Sequence, residues 1–415
     1  MTALLVLATL LFQDVPKLID ELGSEDLEVR EAAAGTLASL GEKAEEELKK
    51  RLPDLSGEVK ARAEAVLARI ASDRVRAKVL PPVRRATIDV KDKPVKEALA
   101  MLSEQTGLAV AKVEDRATVT VSLKDALPLE ALDAICKAAG SSYSIDSRDD
   151  AAPAVRLWRG GGFADVPRVY VRHYRAAVTH IQFIKANDFK TMTSNASVQM
   201  QILWPPDLKP ESVARFEVTE MTDDKGRSLL PDKPQPGGRN RIRYGRGWNQ
   251  VGHTHHQQTK FPESDASKIA AVKAKVALRF PAKGASVSFA AASETGATKD
   301  LAGAKITLKE AGAQGANYRV VVEVTGRVER VKDPEDAGDA WQDHHGISSE
   351  DVKVKGEDGQ ELRPHGMSGT GSRDKTTWTL TYDAPKGAAT IEIAATLEYV
   401  YDGFEFELKD IALPK

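Results

Sequence analysis

The side chains best suited to chemistry fall in two clusters. His253, His255 and His256 stand together, and Asp343, His344 and His345 form a second group. On a strand, His253 and His255 point to one face, a workable pair of imidazole ligands for a divalent metal. Asp343 or His344 would add a third ligand and leave a position open, as catalytic zinc requires. A different chemistry is offered by the loop from Gly237 to Trp248. It holds Arg239, Arg241, Arg243 and Arg246 with Tyr244 and Trp248, and no acid. Guanidinium groups beside aromatic rings suit phosphate, nucleic-acid or acidic-glycan contact. The alternative is a solvated loop folded over the acidic turn at Asp223-Asp224.

Other motifs are thinner. Acid pairs such as Asp223-Asp224, Glu335-Asp336 and Glu357-Asp358 sit in turn-forming surroundings, which explains them without catalysis. Cys136, the one cysteine, falls in a helical pattern with no histidine nearby, so it reads as a small core side chain. It also excludes an intramolecular disulfide. No nucleotide-binding loop or complete catalytic motif is present. The expectation is a protein that is not an enzyme and carries no cofactor. A metal-dependent enzyme using the histidines is one alternative. The other is a polysaccharide-binding β-sandwich with Trp204, Trp248 or Trp378 as platforms.

The elements that must position these groups follow from composition and periodicity. The chain has 415 residues, 41% of them hydrophobic, with 59 basic and 61 acidic side chains. That supports several cores, and the balanced charge argues against a dedicated nucleic-acid partner. Ala3 to Phe12 is a nearly unbroken apolar run of ten, too short to span a bilayer and suited to the apolar region of a signal peptide. Residues 1–12 are therefore expected to direct export to the periplasm or cell envelope. The alternative is a cytoplasmic chain in which they form a buried helix.

Residues 13–78 are rich in Ala, Leu, Glu and Lys and carry a 30-residue repeat. Glu28-Val29-Arg30 recurs as Glu58-Val59-Lys60, and Ala33, Leu37 and Leu40 recur as Ala63, Leu67 and Ile70. Asp26-Leu27-Glu28-Val29-Arg30, followed by Ala32, Ala33, Leu37 and Gly41, resembles a HEAT repeat over roughly two units. The resemblance implies a short α-solenoid with a protein-interaction surface; a small helical bundle is the other reading.

Residues 85–158 show strand and helix patterns in the order β-α-β-β-α-β. The matching stretches are Ile88-Asp89-Val90, Pro94 to Leu102, Thr106-Gly107-Leu108, Val119 to Leu123, and Pro128 to Gly140 with Tyr143. Together they resemble the short N-terminal domain of secretins and TonB-linked receptors. The resemblance implies a docking module in the envelope and a protein partner there. Secretins continue into further such modules and a pore, which this chain lacks, so secretion itself is not implied.

The remainder alternates as strands do. Asp224 to Pro231 lines up with Glu357 to Pro364 at an offset of 133, each reading acidic-x-Gly-x-x-Leu-x-Pro. His255 to Pro262 matches Trp378 to Pro385, and Ile269 to Phe280 matches Ala388 to Tyr399. Two tandem antiparallel β-sandwiches are expected, at 168–292 and 293–415. The repeat makes His253 to Thr259 an ordinary strand with its polar residues facing water, which weakens the metal reading. The fold class expected is thus multidomain α+β: a short α-solenoid or helical bundle, a small βαββαβ module, then the two sandwiches.

Overall fold

A computed structural model describes residues 14–111, 113, 117–146, 154–158, 165–187, 192–232, 240–241, 251–291, 293–330, 346–372, 374–385, 387 and 389–413. The apolar run expected to be a signal peptide lies outside them. The chain divides into two compact units, one ending at Pro81 and one starting at Pro82. It is mostly β, with 49% strand against 25% helix, and six helices and five sheets among the described residues. The expected architecture is corrected at three points.

The first correction concerns the helical unit, which is not a solenoid. Its helices are α1 (Val15–Glu21), α2 (Leu27–Leu40), α3 (Glu42–Arg51) and α4 (Gly57–Val79). Asp26 caps α2 by accepting from the Glu28 amide at 2.8 Å. Gly41, at φ +58°, ends α2 and leads directly into α3, a conformation that disfavours any side chain. Ile19, Leu22, Leu37, Leu48, Ala63, Val66 and Ile70 are buried in one shared core. A solenoid buries each repeat on the next one along. Here the two repeats turn their matched residues, Ala33, Leu37 and Leu40 of one and Ala63, Leu67 and Ile70 of the other, into the same core, so the stack closes after one layer.

The second unit begins with β1 (Ala86–Pro94), α5 (Val95–Thr106), β2 (Thr118–Ala126), α6 (Pro128–Ala139), β3 (Ser142–Asp146) and β4 (Ala154–Trp158). The helices end at Gly107 and Gly140, both left-handed. The strands form two separate antiparallel pairs, β1 with β2 and β3 with β4, instead of one βαββαβ sheet. This is the second correction. The strand expected at Leu108–Val110 shrinks to one parallel bridge, Val110 to Val155. Leu108 turns inward instead, at 3% exposure, into a core with Leu99, Leu132, Ile135 and the buried Cys136.

The β-body follows as β5 (Arg168–Val171), β6 (Tyr174–Asn187), β7 (Met192–Leu203), β8 (Ser212–Asp223), β9 (Asn240–Arg241), β10 (Gly252–Gln258) and β11 (Lys268–Ala290). It continues with β12 (Thr298–Leu301), β13 (Ala304–Gln314), β14 (Asn317–Thr325), β15 (Val352–Lys355), β16 (Glu361–Leu362), β17 (Pro364–Gly371), β18 (Lys375–Asp383) and β19 (Thr390–Ala412). The two expected sandwiches do not sit in tandem, which is the third correction. β11 and β19 pair antiparallel from Lys268–Ala412 to Ala290–Thr390, straight across the boundary expected near Ala292. They are the centre of one six-stranded sheet, β16-β15-β19-β11-β8-β9. A four-stranded sheet, β10-β7-β6-β5, serves the first half and a five-stranded sheet, β12-β13-β14-β18-β17, the second.

The repeat seen in sequence occupies matching places. β8 flanks β11 as β15 flanks β19. The two acidic turns close alike: the Gly226 amide donates to Asp223 O at 3.0 Å and the Gly359 amide to Gly356 O at 2.9 Å. Their φ values of +77° and +75° require glycine. Midway along the long strands the register is irregular between Pro281 and Gly284. Buried positions change from even (Val272 to Phe280, Val400 to Leu408) to odd (Phe289, Ile391 to Ala395) across it. An extra residue in each strand produces that change of phase.

Separate cores predict separate unfolding. Leu37→Ala should weaken the helical unit by about 3 kcal/mol. The expected calorimetric result is a lowered helical transition with the β-body transition unmoved; a shift of both would contradict independent cores.

Candidate functional site

His253 and His255 lie on β10, paired to Ile202 and Met200 of β7. They share a face, as their spacing requires, but that face is the interior and not the solvent. His253 is 6% exposed and His255 half-buried. The His255 ring stacks on Phe216 of β8 at 4.1 Å between centroids and 7° between planes, and the His253 ring lies 6.1 Å from the same phenyl. His256, on the other face, is exposed. Burial, then the neighbouring His255 and His256, pushes the His253 pKa down to about 4. Burial also lowers that of His255. Both imidazoles are therefore neutral at pH 7. The Nε2 atom of His253 has no hydrogen-bond partner among the described residues, and that of His255 lies 3.5 Å from Gln257 Oε1.

Neutral imidazoles could ligate a metal, but two ligands are short of a site. No group of three or more His, Cys, Asp or Glu side chains is placed to hold an ion among the described residues. Asp343, His344 and His345 lie outside those residues. So do Arg239, Arg243, Arg246 and Trp248 of the basic loop. Only the backbone of Asn240 and Arg241 is described, as the short strand β9 on Val213 and Ser212 of β8. The acidic turn at Asp223-Asp224 has partners among the described residues. Asp223, 1% exposed, accepts from the Arg227 and Lys225 amides at 2.9 Å each and from Arg227 Nε at 2.7 Å. Burial raises its pKa, yet these bonds outweigh that and hold it below the ordinary carboxylate range. Asp224 is bonded to Ser267 Oγ at 2.6 Å. Of the tryptophans considered as glycan platforms, Trp204 is fully buried, and Trp378 is half-buried with its ring lying over Gly369 of the next strand.

A dense polar cluster among the described residues carries no signature motif. Asp133 of α6, 3% exposed, stands between the α/β module and the first sheet. Tyr143 of β3 donates its hydroxyl to Oδ1 at 2.6 Å, and Tyr170 of β5 donates to Oδ2 at 2.6 Å. Arg168 Nη1 reaches Oδ2 at 2.9 Å, and Arg175 Nη1 of β6 reaches Oδ1 at 3.2 Å and the Tyr143 hydroxyl at 2.7 Å. Arg175 Nη2 donates to Gln201 Oε1 of β7 at 2.9 Å. Burial raises the pKa of both phenols, so they stay protonated and act as donors. One carboxylate thus receives two hydroxyls and two guanidiniums, and it binds α6 and β3 to β5, β6 and β7. The sequence signal was faint. Asp133 is an acid on the buried stripe formed by Leu129, Leu132, Ile135 and Cys136.

No family model matches the chain, and no curated protein or solved structure is similar enough to match it. Among the described residues, no helix is long and apolar enough to cross a membrane.

Two outcomes follow from this geometry. Asp133→Ala leaves two guanidiniums buried without their carboxylate, and a loss of about 3–5 kcal/mol is expected in urea unfolding. A loss below about 1 kcal/mol would show the cluster to be well hydrated. His253 gives a pH dependence. The unfolded chain protonates near 6.5 and the folded one near 4. Protons therefore favour unfolding, and the His253 contribution is complete above about pH 6.5 and lost as pH falls toward 4. The expected loss is about 3 kcal/mol by pH 4. Unfolding midpoints of wild type and His253→Gln, compared at pH 7 and pH 4.5, should show a smaller pH dependence in the variant.

Proposed function

We propose that this is a non-enzymatic, modular protein of a bacterial cell envelope that acts by protein–protein contact, as a scaffold or docking component. One observation carries the reading: the helical unit has its own core yet leaves Leu27 61% and Val29 37% exposed at the start of α2. Both residues belong to the stretch Asp26 to Arg30 that resembles interaction repeats. Apolar side chains kept in water beside the charged Glu28 and Arg30 are suited to a protein partner. The likeness of residues 85–158 to secretin and TonB-receptor docking domains supports the same role and an envelope location. The apolar run from Ala3 to Phe12 supports export. The basic loop from Arg239 to Trp248 would add an acidic partner surface, a protein or an acidic glycan.

The reading is tested in the producing cell. Intact-mass measurement should find the chain outside the cytoplasm and cleaved beyond Phe12. A photo-crosslinker placed at Leu27 should trap a defined envelope protein, and Val29→Asp should reduce that adduct at least about tenfold without changing the helical content. A cytoplasmic chain with residues 1–12 intact, or no Leu27 adduct, would overturn the proposal.

A further inference from the structure

The five-stranded sheet ends in an unusual edge. β17 pairs with β18 on one side, and among the described residues no strand pairs with its other side. Seven of its eight residues are exposed, and Met367 is 59% exposed. Edge strands are ordinarily protected by charge, bulges or brevity. Other sheet edges here follow that rule: β12 carries Lys299 and Asp300, β16 is two residues with Glu361, and β5 is four residues with Arg168. The edge strand β10 has no Lys, Arg, Asp or Glu, but its residues are largely covered. β17 has a bulge at its start, between Pro364 and Gly366, but its ladder from Gly366 to Gly371 is regular, and from Pro364 to Gly371 there is no Lys, Arg, Asp or Glu.

The geometry points to β17 as a homodimer interface, in which the β17 strands of two copies pair antiparallel about a two-fold axis through Ser368. Three features select a second copy as the occupant. An uncharged strand meets its own copy without like charges facing each other. A two-fold contact is self-complementary, with residue i against j and j against i. An axis normal to the sheet keeps each residue on the same face in both copies, so facing residues must have the same parity. Centring on Ser368 then sets Met367 opposite the partner's Gly369 and Thr370 opposite the partner's Gly366. In this register a large side chain faces a glycine each time. The Trp378 ring supports the arrangement. It crosses above Gly369, where any side chain would collide with it, and so reaches toward the sheet edge. The partner's Met367 falls in the same row, where its thioether meets the indole. Glycine covered by a cross-strand aromatic is a known way to secure a strand pair.

This inference is independent of the envelope reading, because it concerns copies of one chain and can be tested on purified protein. Sedimentation equilibrium of the full chain should give a mass near twice 44.9 kDa. Ser368→Lys places two ammonium groups face to face and should return the mass to that of one chain. Mixing Ser368→Lys with Ser368→Glu should restore the dimer. Register is read separately: Ser368→Cys should form an intermolecular disulfide under mild oxidation, whereas Thr370→Cys should not. The native Cys136 is buried and does not compete. A single-chain mass for the wild type, a dimer unaffected by Ser368→Lys, or equal cross-linking of both cysteine variants would overturn the proposal.

Discussion

The antiparallel ladder between β11 and β19 is the constraint on which the rest of the β-body depends. Each strand runs 23 residues, far beyond an ordinary strand, and they pair along their full length. β11 closes the first repeat and β19 the second, so the ladder makes the two halves one sheet. The inward set Val272, Ala274, Val276, Leu278 and Phe280 meets the first half's core. Between those residues Lys273 pairs with Glu220 at 2.8 Å and Lys275 with Glu405 at 3.1 Å. Such exposed pairs contribute little energy but oppose a one-residue slip, which would invert every side chain.

Buried carboxylates hold what the ladder leaves loose. Asp133 fixes the α/β module to β5 and β6. Asp402 of β19 accepts from the Tyr174 hydroxyl at 2.6 Å and from Arg172 Nη1 at 2.7 Å, while Tyr174 stacks on Phe404 at 4.3 Å. Arg172 sits at φ +52°, so this ion pair secures a strained turn between β5 and β6. Where the long strands change phase, Arg279 lies 4.1 Å above the Tyr399 ring, and Tyr399 donates to Glu211 at 3.3 Å. Burial and that nearby carboxylate push the Tyr399 hydroxyl up to about 12, so it remains a donor. In each case one charge is desolvated, and a matched set of donors offsets the cost. Such clusters fix geometry more than they add stability.

Local signals were legible in the sequence and long-range pairing was not. Helix ends at Gly41, Gly107 and Gly140, the buried Cys136, and the paired turns at Gly226 and Gly359 all follow from short-range chemistry. The fusion of the halves does not. Alternation marks β11 and β19 as strands, but nothing in a two-residue period says which strand lies beside which. The solenoid expectation failed for a related reason. A 30-residue repeat specifies matched helix faces, yet two repeats have nothing further to stack on, and their faces meet each other. A polar side chain in an alternating strand reads as water-facing, yet His253 and His255 face inward. Phe216 of β8, about 40 residues earlier in the chain, makes their face an interior one.

The repeat also serves as an internal control on what the β-body does. At matched positions His253 and His255 in β10 stand where Thr376 and Trp378 stand in β18. Both pairs turn toward the interior, so packing alone is satisfied by either chemistry. In the second half Trp378 fills the position, its ring covers Gly369, and β17 continues the sheet outward. In the first half the chain ahead of β10 adds its short strand to β8 instead, and the interior is completed by an imidazole stacked on Phe216. Beside it His253 buries an Nε2 that has no partner among the described residues, a cost that an apolar side chain at that position would not carry. The differences between halves therefore concentrate at sheet edges and at one polar interior pair. The common core explains how the β-body folds, and those departures are what distinguish its two halves.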